Sequence, residues 1–179
     1  MENSKLHSIW QGCKKQDRKA QAELYELFSR KMFVICQRYA QTTLEAEDIL
    51  QNGFVKIFTK HHLYDEKGSL EGWIKRIMVN TAIEHYRKNK TLTFETLEGT
   101  HENYTHSELS STHVSYKDLL NLIRELPAGY RAVFNLYAIE GYSHKEIAEM
   151  LGISESGSKS QLSRARQLLQ QKLTKEKML

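Results

Sequence analysis

Apolar residues recur through the first half of the chain at the three- and four-residue spacing of amphipathic helices. The spacing predicts four helices before residue 90, and Asp17, Thr42 and Ser69 are placed to cap the last three. Glu45, three residues after Thr42, gives the third helix a capping-box pattern. The apolar positions include Leu6, Ile9, Trp10, Cys13, Leu24, Leu27, Phe28, Ile35, Tyr39, Leu50, Phe54, Ile57, Trp73, Ile74, Ile77 and Ile83.

The same spacing returns near residue 119 and predicts a second set of helices. Pro127 stands where a helix can begin, because the first turn of a helix does not need that N–H. Ser143 with Glu146 forms a second capping box, and Gly152 is placed to turn the chain before Ser154 caps the last helix. Since no segment has a convincing strand pattern, we expect an all-α fold.

The stretch between the two sets of helices differs from both. Thr91–Tyr116 has four acidic residues, no Lys or Arg, and no sustained apolar period, and it is rich in Thr, Ser, His and Gly. This composition predicts a flexible acidic linker that is extended or partly disordered. We therefore predict two small helical domains, residues 1–90 and 117–179, joined by a linker over residues 91–116.

Composition and charge narrow the function classes. The 179 residues include 26 Lys and Arg against 22 Asp and Glu, a net charge of +4 that permits a nucleic-acid partner. No apolar run approaches the ~20 residues that span a bilayer, and the N-terminus lacks the apolar core of a signal peptide. We expect a cytoplasmic protein with no membrane insertion, in which Cys13 and Cys36 are reduced thiols.

The sharpest local pattern is Gly141–Arg166. A short helix at Ser143–Leu151, a tight turn at Gly152–Ile153 and a longer basic helix together predict a helix-turn-helix. The second helix of such a motif can enter the major groove, where Lys and Arg read guanine and Gln reads adenine. A basic, solvated terminal helix on an ordinary bundle is the alternative interpretation, and the pattern alone leaves it open.

A second constellation mixes aromatic, basic and amide side chains on one predicted helix, Gly72–Lys90. The mixture suits single-stranded nucleic acid, because cations meet phosphates while aromatic rings stack on unpaired bases. Trp73 and Tyr86 fit a core equally well, and Arg87–Lys90 fits a solvated helix end. A third helix, Glu45–Lys60, has a polar edge beside its apolar stripe, which in isolation is typical of a solvated face.

Taken together, four segments resemble the extracytoplasmic-function (ECF) sigma factors of bacterial RNA polymerase across nearly the whole chain. Their order, their spacing and the intervening linker match that family, and the style of the sequence suggests a Bacteroidetes-type member. The segments are EAEDILQNGFVKIF (Glu45–Phe58), GWIKRIMVNTAIEHYRK (Gly72–Lys88), LPAGYRAVFNLYAIEGYSHKEIAEMLGIS (Leu126–Ser154) and KSQLSRARQLLQQKL (Lys159–Leu173).

The resemblance implies an alternative sigma factor that binds core polymerase, recognises the −10 and −35 promoter elements and promotes promoter melting. Residues 1–90 then correspond to sigma region 2 and residues 117–179 to region 4. The acidic linker corresponds to the segment threaded through the active cleft and RNA exit channel of the polymerase. The resemblance also implies an anti-sigma factor as a partner, and it implies no cofactor.

The resemblance further assigns residues to surfaces. Asp48, Gln51 and Asn52 fall where the family docks on the clamp helices of the largest polymerase subunit, and residues 62–68 fall where it captures a flipped −10 base. The residues implied in −10 binding are Tyr64, Lys67, Trp73, Lys75, Arg76, Asn80 and Arg87. Those implied in −35 binding are Lys145, Ser158, Lys159, Ser160, Ser163, Arg164 and Arg166, with Lys145 and Arg166 as phosphate contacts.

The predicted recognition helix departs from the family at two places. Family members often have Glu-Gly-Thr where this chain has Glu155, Ser156 and Gly157, and a position that is commonly Arg is Gln161. A glycine three residues past the cap weakens the start of a helix by up to ~1 kcal/mol relative to alanine. These changes leave the −35 sequence undetermined without affecting the fold.

Two other function classes stand as alternatives. A one-component transcriptional regulator would share the C-terminal helix-turn-helix, but residues 1–90 would carry a ligand pocket or a dimer seam. An enzyme finds little support, because the chain has no HExxH, Walker loop, GxSxG or paired-carboxylate motif. His61, His62 and the linker histidines lack metal-ligand partners at a recognised spacing, so we expect no metal site and no catalysis.

Overall fold

The computed structural model describes residues 2–96 and 116–176, with side chains described from 4 to 89 and from 118 to 173. These residues confirm the all-α prediction: they form eight α-helices with one 3₁₀ turn and one π-helical turn, and contain no strand. The helices are α1 (Glu2–Lys14), α2 (Arg18–Tyr39), α3 (Thr43–Thr59), α4 (Leu70–Thr96), α5 (Tyr116–Arg124), α6 (Ala128–Phe134), α7 (His144–Leu151) and α8 (Glu155–Glu176).

The chain divides into two compact units, Met1–Glu84 and His85–Leu179, so the division falls inside α4. That helix continues to Thr96, inside the stretch predicted as linker. The rest of the predicted linker lies outside the described residues. None of the helices that the structure describes is long and apolar enough to cross a membrane.

The helices of the first unit begin where the sequence places their caps. The Asp17 carboxylate accepts two backbone N–H groups at the start of α2, at 2.7 and 3.1 Å. Thr42 Oγ1 accepts the N–H of Glu45, whose own carboxylate accepts the N–H of Gln41 rather than that of the cap. Ser69 Oγ accepts the N–H of the third residue of α4 at 3.0 Å. These local bonds fix the helix starts that carry the polar surfaces described below.

Most of the apolar side chains predicted from the spacing are buried in the core of the first unit, whereas Leu6, Trp73 and Ile77 are half-buried and Leu27 is exposed. Leu27 is 51% exposed, because the core of this unit lies on the neighbouring face of α2, which buries Leu24 and Phe28. The predicted core position at Leu27 is therefore corrected. Gly53 permits a close approach to α4, since a Cβ there would overlap the buried sulfur of Met78.

The second unit contains the predicted helix-turn-helix. Ser143 and Glu146 form the complete capping box at the start of α7, and Gly152 ends that helix in the left-handed conformation with φ 63°. Ser154 Oγ then accepts the N–H of Gly157 at 3.0 Å in the first turn of α8. A cluster of buried apolar side chains joins α8 to the helices before it, and its members are Leu122, Leu126, Ala165 and Leu169.

One element of this unit is not predicted by the sequence. The apolar pattern predicts that the helix that begins near Pro127 continues as an α-helix through Val133, Phe134 and Tyr137. Instead α6 ends at Phe134 and a π-helical turn covers Asn135–Ile139, with Asn135 and Leu136 fully buried. The wider turn rotates Tyr137 to the surface, where it is 36% exposed.

Candidate nucleic-acid and polymerase interface

One face of α3 is exposed although it carries large apolar groups. Asp48, Gln51 and Asn52 are all exposed, as predicted for a docking surface. Leu44 and Val55 flank them on the same face and are 69% and 58% exposed. An exposed stripe that combines apolar and polar groups is typical of a protein-binding face.

The turn between α3 and α4 is held in a defined conformation. The Tyr64 hydroxyl donates to the carbonyl oxygen of Gly68 at 2.6 Å, and Glu66 adopts a left-handed φ of 59°. Lys14 of α1 donates to the Glu66 carboxylate at 2.8 Å, which lowers the pKa of that carboxyl. The segment predicted to capture a flipped base is therefore tied to α1 as well as to itself.

Three aromatic rings pack together behind this turn. The Trp10 ring lies edge-on to those of Tyr64 and Trp73, with centroids 5.7 and 5.5 Å away, and the last two rings are 5.3 Å apart. Trp10 is 2% exposed, while Tyr64 and Trp73 are half-buried. Burial raises the pKa of Tyr64, and the Glu66 and Asp65 carboxylates add to that shift. The two half-buried rings thus belong to both the core and the surface.

The site prediction omits Trp10, which joins the predicted turn to α4. Its helical spacing marked it as a core residue, and no local pattern linked it to Tyr64. A cavity of about 470 Å³ lies beside these contacts, lined by Trp10 of α1 and by Tyr64 and Glu66 of the turn among others. Only the tertiary packing reveals that α1 forms one wall of this region.

A cleft beside Trp73 brings together three of the predicted −10 residues. Trp73, Arg76 and Asn80 line a cavity of about 340 Å³ together with Lys60 and Leu63. The other predicted −10 residues lie elsewhere. Lys75 is half-buried on α4, Lys67 is exposed in the turn with its ammonium 3.8 Å from Asp65, and Arg87 is exposed in the part of α4 that belongs to the second unit.

The recognition helix α8 separates a buried stripe from an exposed face. Leu162, Ala165 and Leu169 are buried, at intervals of three and four residues. The predicted −35 residues on the exposed part of the second unit are Lys145, Lys159, Ser160, Ser163, Arg164 and Arg166.

Ser158 is the exception, and its place in the structure corrects the prediction that it contacts DNA. Its side chain is fully buried, and its Oγ lies 2.9 Å from Nδ1 of His144. Ser158 precedes Leu162 by four residues, so it continues the buried stripe of α8. Gln161 is half-buried, and its Oε1 atom is buried.

Three exposed cations of this face have partners within the chain. Lys159 pairs with Glu155 at 2.7 Å, one turn earlier, and this pairing lowers the pKa of the Glu155 carboxyl. Arg164 donates to the Tyr130 hydroxyl at 3.3 Å. The Arg166 guanidinium lies over the Tyr137 ring, 5.7 Å from its centroid. A new partner of Lys159 or Arg164 would have to compete with these contacts, whereas a cation over a ring keeps its edge free for an anion.

Comparisons with known proteins identify the family. The sigma-70 region 2 family matches residues 24–91, and the sigma-70 region 4 family matches residues 116–169. The RNA polymerase sigma factor SigZ of Bacillus subtilis is 39% identical over 129 residues, which cover 71% of this chain and 72% of that protein. The ECF sigma factor SigW of the same organism is 30% identical over 172 residues, covering 89% and 92%. The chain belongs to the ECF sigma factors of bacterial RNA polymerase.

A solved structure supports the fold of this ECF sigma factor. The sigma factor RpoE, from its complex with the anti-sigma factor NepR of Bartonella quintana, matches with a TM-score of 0.54 at 21% identity, over 86% of this chain and 96% of that one. The family assignment confirms the predicted resemblance, and the regulator alternative is not favoured. The Bacteroidetes-type assignment stays a prediction.

The matched regions place the candidate surfaces within the sigma factor. Region 2 contains the exposed face of α3, the turn before α4 and the Trp73 cleft, whereas region 4 contains α7, the Gly152 turn and most of α8. Helix α1 precedes the region 2 match, although its Trp10 completes the aromatic cluster. Within the described residues, no group of three or more His, Cys, Asp or Glu side chains could hold a metal ion.

Proposed function

We propose that this sigma factor directs core RNA polymerase to promoters through three separate surfaces: the exposed face of α3, the Trp73 cleft and the exposed face of α8. The observation that carries the proposal is the exposure of the predicted contact residues beside well-formed buried stripes. On α8, for example, Ser163 and Arg164 are exposed while Leu162 and Ala165 are buried. Side chains that face water and leave the core intact are available to a partner.

The α3 face is proposed to bind the polymerase. Its apolar ends, Leu44 and Val55, supply area that loses contact with water on docking, and Asp48, Gln51 and Asn52 supply directional polar contacts. A net charge of +4 is weak for binding DNA alone, so polymerase contacts are expected to supply much of the promoter affinity. An anti-sigma factor that covers this face would silence the protein, and we include such a partner in the proposal.

The Trp73 cleft is proposed to hold the −10 element as it melts. No catalytic side chain is required, because tighter binding of the separated strands than of the duplex shifts the equilibrium towards the open state. Extruding a base costs a few kcal/mol, which contacts in a pocket must offset. Arg76 can meet a phosphate, Asn80 can meet a base edge, and the exposed part of the Trp73 ring can stack on a base.

The α8 face is proposed to read the −35 element in the major groove. Lys159, Ser160 and Ser163 project from the first turns of the helix, which is the part that a helix-turn-helix inserts. Contacts to bases specify the sequence, while contacts to phosphates fix the register. The place of action is the cytoplasm, where the promoter DNA lies.

Run-off transcription tests the proposal. Fragmented genomic DNA from the source organism is transcribed by matched core polymerase with and without the full chain. We expect discrete new transcripts that depend on the protein, and these define its promoters. Specific DNA binding by the free protein without any new transcript would overturn the proposal in favour of a regulator.

Three variants then separate the surfaces. Asp48→Arg should abolish polymerase binding, because it places a cation on the docking face. Arg76→Ala should leave polymerase binding intact but reduce open complexes, measured by the permanganate reactivity of unpaired thymines. Ser163→Ala should weaken discrimination between −35 sequences while leaving transcription from a pre-opened template unchanged. A variant that impaired all three steps equally would show that the surfaces are not separate.

A further inference from the structure

Tyr137 connects two parts of the helix-turn-helix that are distant in the sequence. Its ring stacks on the imidazole of His144, with centroids 4.5 Å apart and planes inclined by 20°. Tyr137 lies in the π-helical turn, and His144 is the first residue of α7. The π-helical turn therefore packs directly on the start of the first helix of the motif.

The ring pair contacts α8 at two points. His144 Nδ1 lies 2.9 Å from Oγ of the buried Ser158, with the donor set by the histidine tautomer. On the other ring, the Arg166 guanidinium carbon lies 5.7 Å from the centroid of Tyr137. Ser158 and Arg166 are eight residues apart, about 12 Å along a helix. The two stacked rings thus contact α8 at two positions that lie about two helical turns apart.

These two contacts differ in what they can do. The Ser158 contact is buried, so it holds α8 against α7. The Arg166 contact is exposed, and an exposed cation–π pair contributes only ~0.5–1 kcal/mol, which is a small share of the stability of a domain. The contact with Tyr137 has a stronger effect on the orientation of the Arg166 guanidinium. A guanidinium that lies on a ring keeps its edge N–H groups available for bidentate binding of a phosphate.

We propose that Tyr137 is a positioning residue that holds Arg166 ready for a phosphate of the DNA backbone beside the −35 element. The inference rests on the proposed function of α8. A guanidinium that is already confined loses less rotamer freedom when it binds, so the ring increases affinity without touching DNA. The Tyr137 hydroxyl has no part in this role, and the aromatic ring alone is required.

The test uses the full chain in holoenzyme with a promoter fragment recovered by run-off transcription. Binding is measured by fluorescence anisotropy between 50 and ~200 mM KCl, a range over which phosphate contacts change affinity strongly. We expect Arg166→Ala to weaken binding about tenfold and to lower the salt slope by about one. Tyr137→Ala should weaken binding about threefold, and Tyr137→Phe should bind like the wild type because the ring is retained.

The decisive measurement is the double variant. If the ring acts through Arg166, Tyr137→Ala should have no further effect in the Arg166→Ala background. Ile139→Ala is the matched control, because Ile139 lies in the same π-helical turn with the same 36% exposure. It should leave both the affinity and the salt slope unchanged.

Three outcomes would overturn the inference. Additive losses in the double variant, or equal losses for Tyr137→Phe and Tyr137→Ala, would show that Tyr137 acts through the fold or through its hydroxyl. An unchanged affinity of Tyr137→Ala for promoter DNA would show that Arg166 does not need the aromatic ring beside it. A wild-type protein that selects no promoter would instead overturn the proposed function together with this inference, and that result is seen before any variant is made.

Discussion

The two surfaces proposed for promoter DNA are built in opposite ways. In the first unit, the half-buried rings of Tyr64 and Trp73 pack on the buried Trp10. The Trp73 side chain, which lines the proposed −10 cleft, therefore also packs against the core. In the second unit, Lys159 and Ser163 project from α8, while a separate stripe on the same helix packs inward.

The difference fits the two forms of DNA that the surfaces are proposed to bind. Unpaired bases need rigid aromatic platforms in a concave site, and a platform is made rigid by packing it into the core. The major groove admits a convex helix, whose readers must extend away from the core. We infer that function and stability are coupled in the first unit and separable in the second.

The largest effect we expect is on the rate of cysteine labelling, which reports on the first unit alone. Both cysteines lie in that unit, and burial raises the pKa of Cys13 to about 11 and that of Cys36 to about 12. Only thiolates react, so at pH 8 labelling by iodoacetamide should be at least about 100-fold slower in the native chain than in urea. Mass spectrometry of the labelled protein measures both rates. Equal rates would show that this unit opens freely.

The second prediction breaks the coupling in the first unit. Trp73→Ala removes ring contacts with Trp10 and Tyr64, and should lower the free energy of unfolding by about 2 kcal/mol, below the ~3–5 kcal/mol of a fully buried aromatic residue. The rate of labelling of Cys13 and Cys36, measured at increasing urea concentrations, gives this loss for the first unit. Open complexes should fall in parallel.

Two variants serve as controls for that result. Trp73→Phe keeps a ring in the cluster and should retain most of the stability. Arg76→Ala, on the exposed side of the same cleft, should reduce open complexes without changing stability. If Trp73→Ala left the stability unchanged, Trp73 would be a separable reader of the kind proposed for α8.

The third prediction compares a buried serine of α8, which contacts His144, with an exposed serine of the same helix. Ser158→Ala removes the partner of His144 Nδ1 and should destabilise the second unit by about 1 kcal/mol, after a small gain in helix propensity. Ser163→Ala should leave stability unchanged or slightly raised, and should instead weaken −35 recognition. Hydrogen exchange of the α7 and α8 amides measures the stability of this unit. A larger loss of stability for Ser163→Ala than for Ser158→Ala would contradict the assignment of the buried and exposed faces of α8.

The same serine shows how far sequence can predict this molecule. Periodicity and capping predicted the helices, the capping box of Ser143 and the left-handed Gly152, because these depend on local interactions. The family resemblance assigned Ser158 to the −35 set, although Ser158 lies four residues before Leu162 and so continues the buried stripe. That signal was present in the sequence.

Other features had no local signal. The π-helical turn at Asn135–Ile139 depends on packing of the fully buried Asn135 and Leu136, which an apolar period does not specify. The part played by Trp10 depends on α1 meeting a turn more than fifty residues later in the chain. Long-range contacts of this kind decide which residues form a site, and single-sequence patterns do not contain them.

The smallest effect we expect tests directly whether DNA binding and stability can be changed separately in the second unit. Glu155 pairs with Lys159 at the start of α8, and both side chains are more than half exposed, so the pair is screened by water and adds little to stability. Glu155→Gln removes a negative charge next to the proposed groove surface and releases Lys159 for DNA. We expect binding of a fixed 30-base-pair duplex to tighten about two- to threefold at low salt, with a steeper salt dependence and no change in hydrogen exchange beyond the first turn.

The matched control is Glu149→Gln on α7, which removes the same charge from an exposed residue outside the predicted −35 set. An equal gain from both variants would indicate a general charge effect, and a loss of stability from Glu155→Gln alone would show that readers and fold are coupled in the second unit as well.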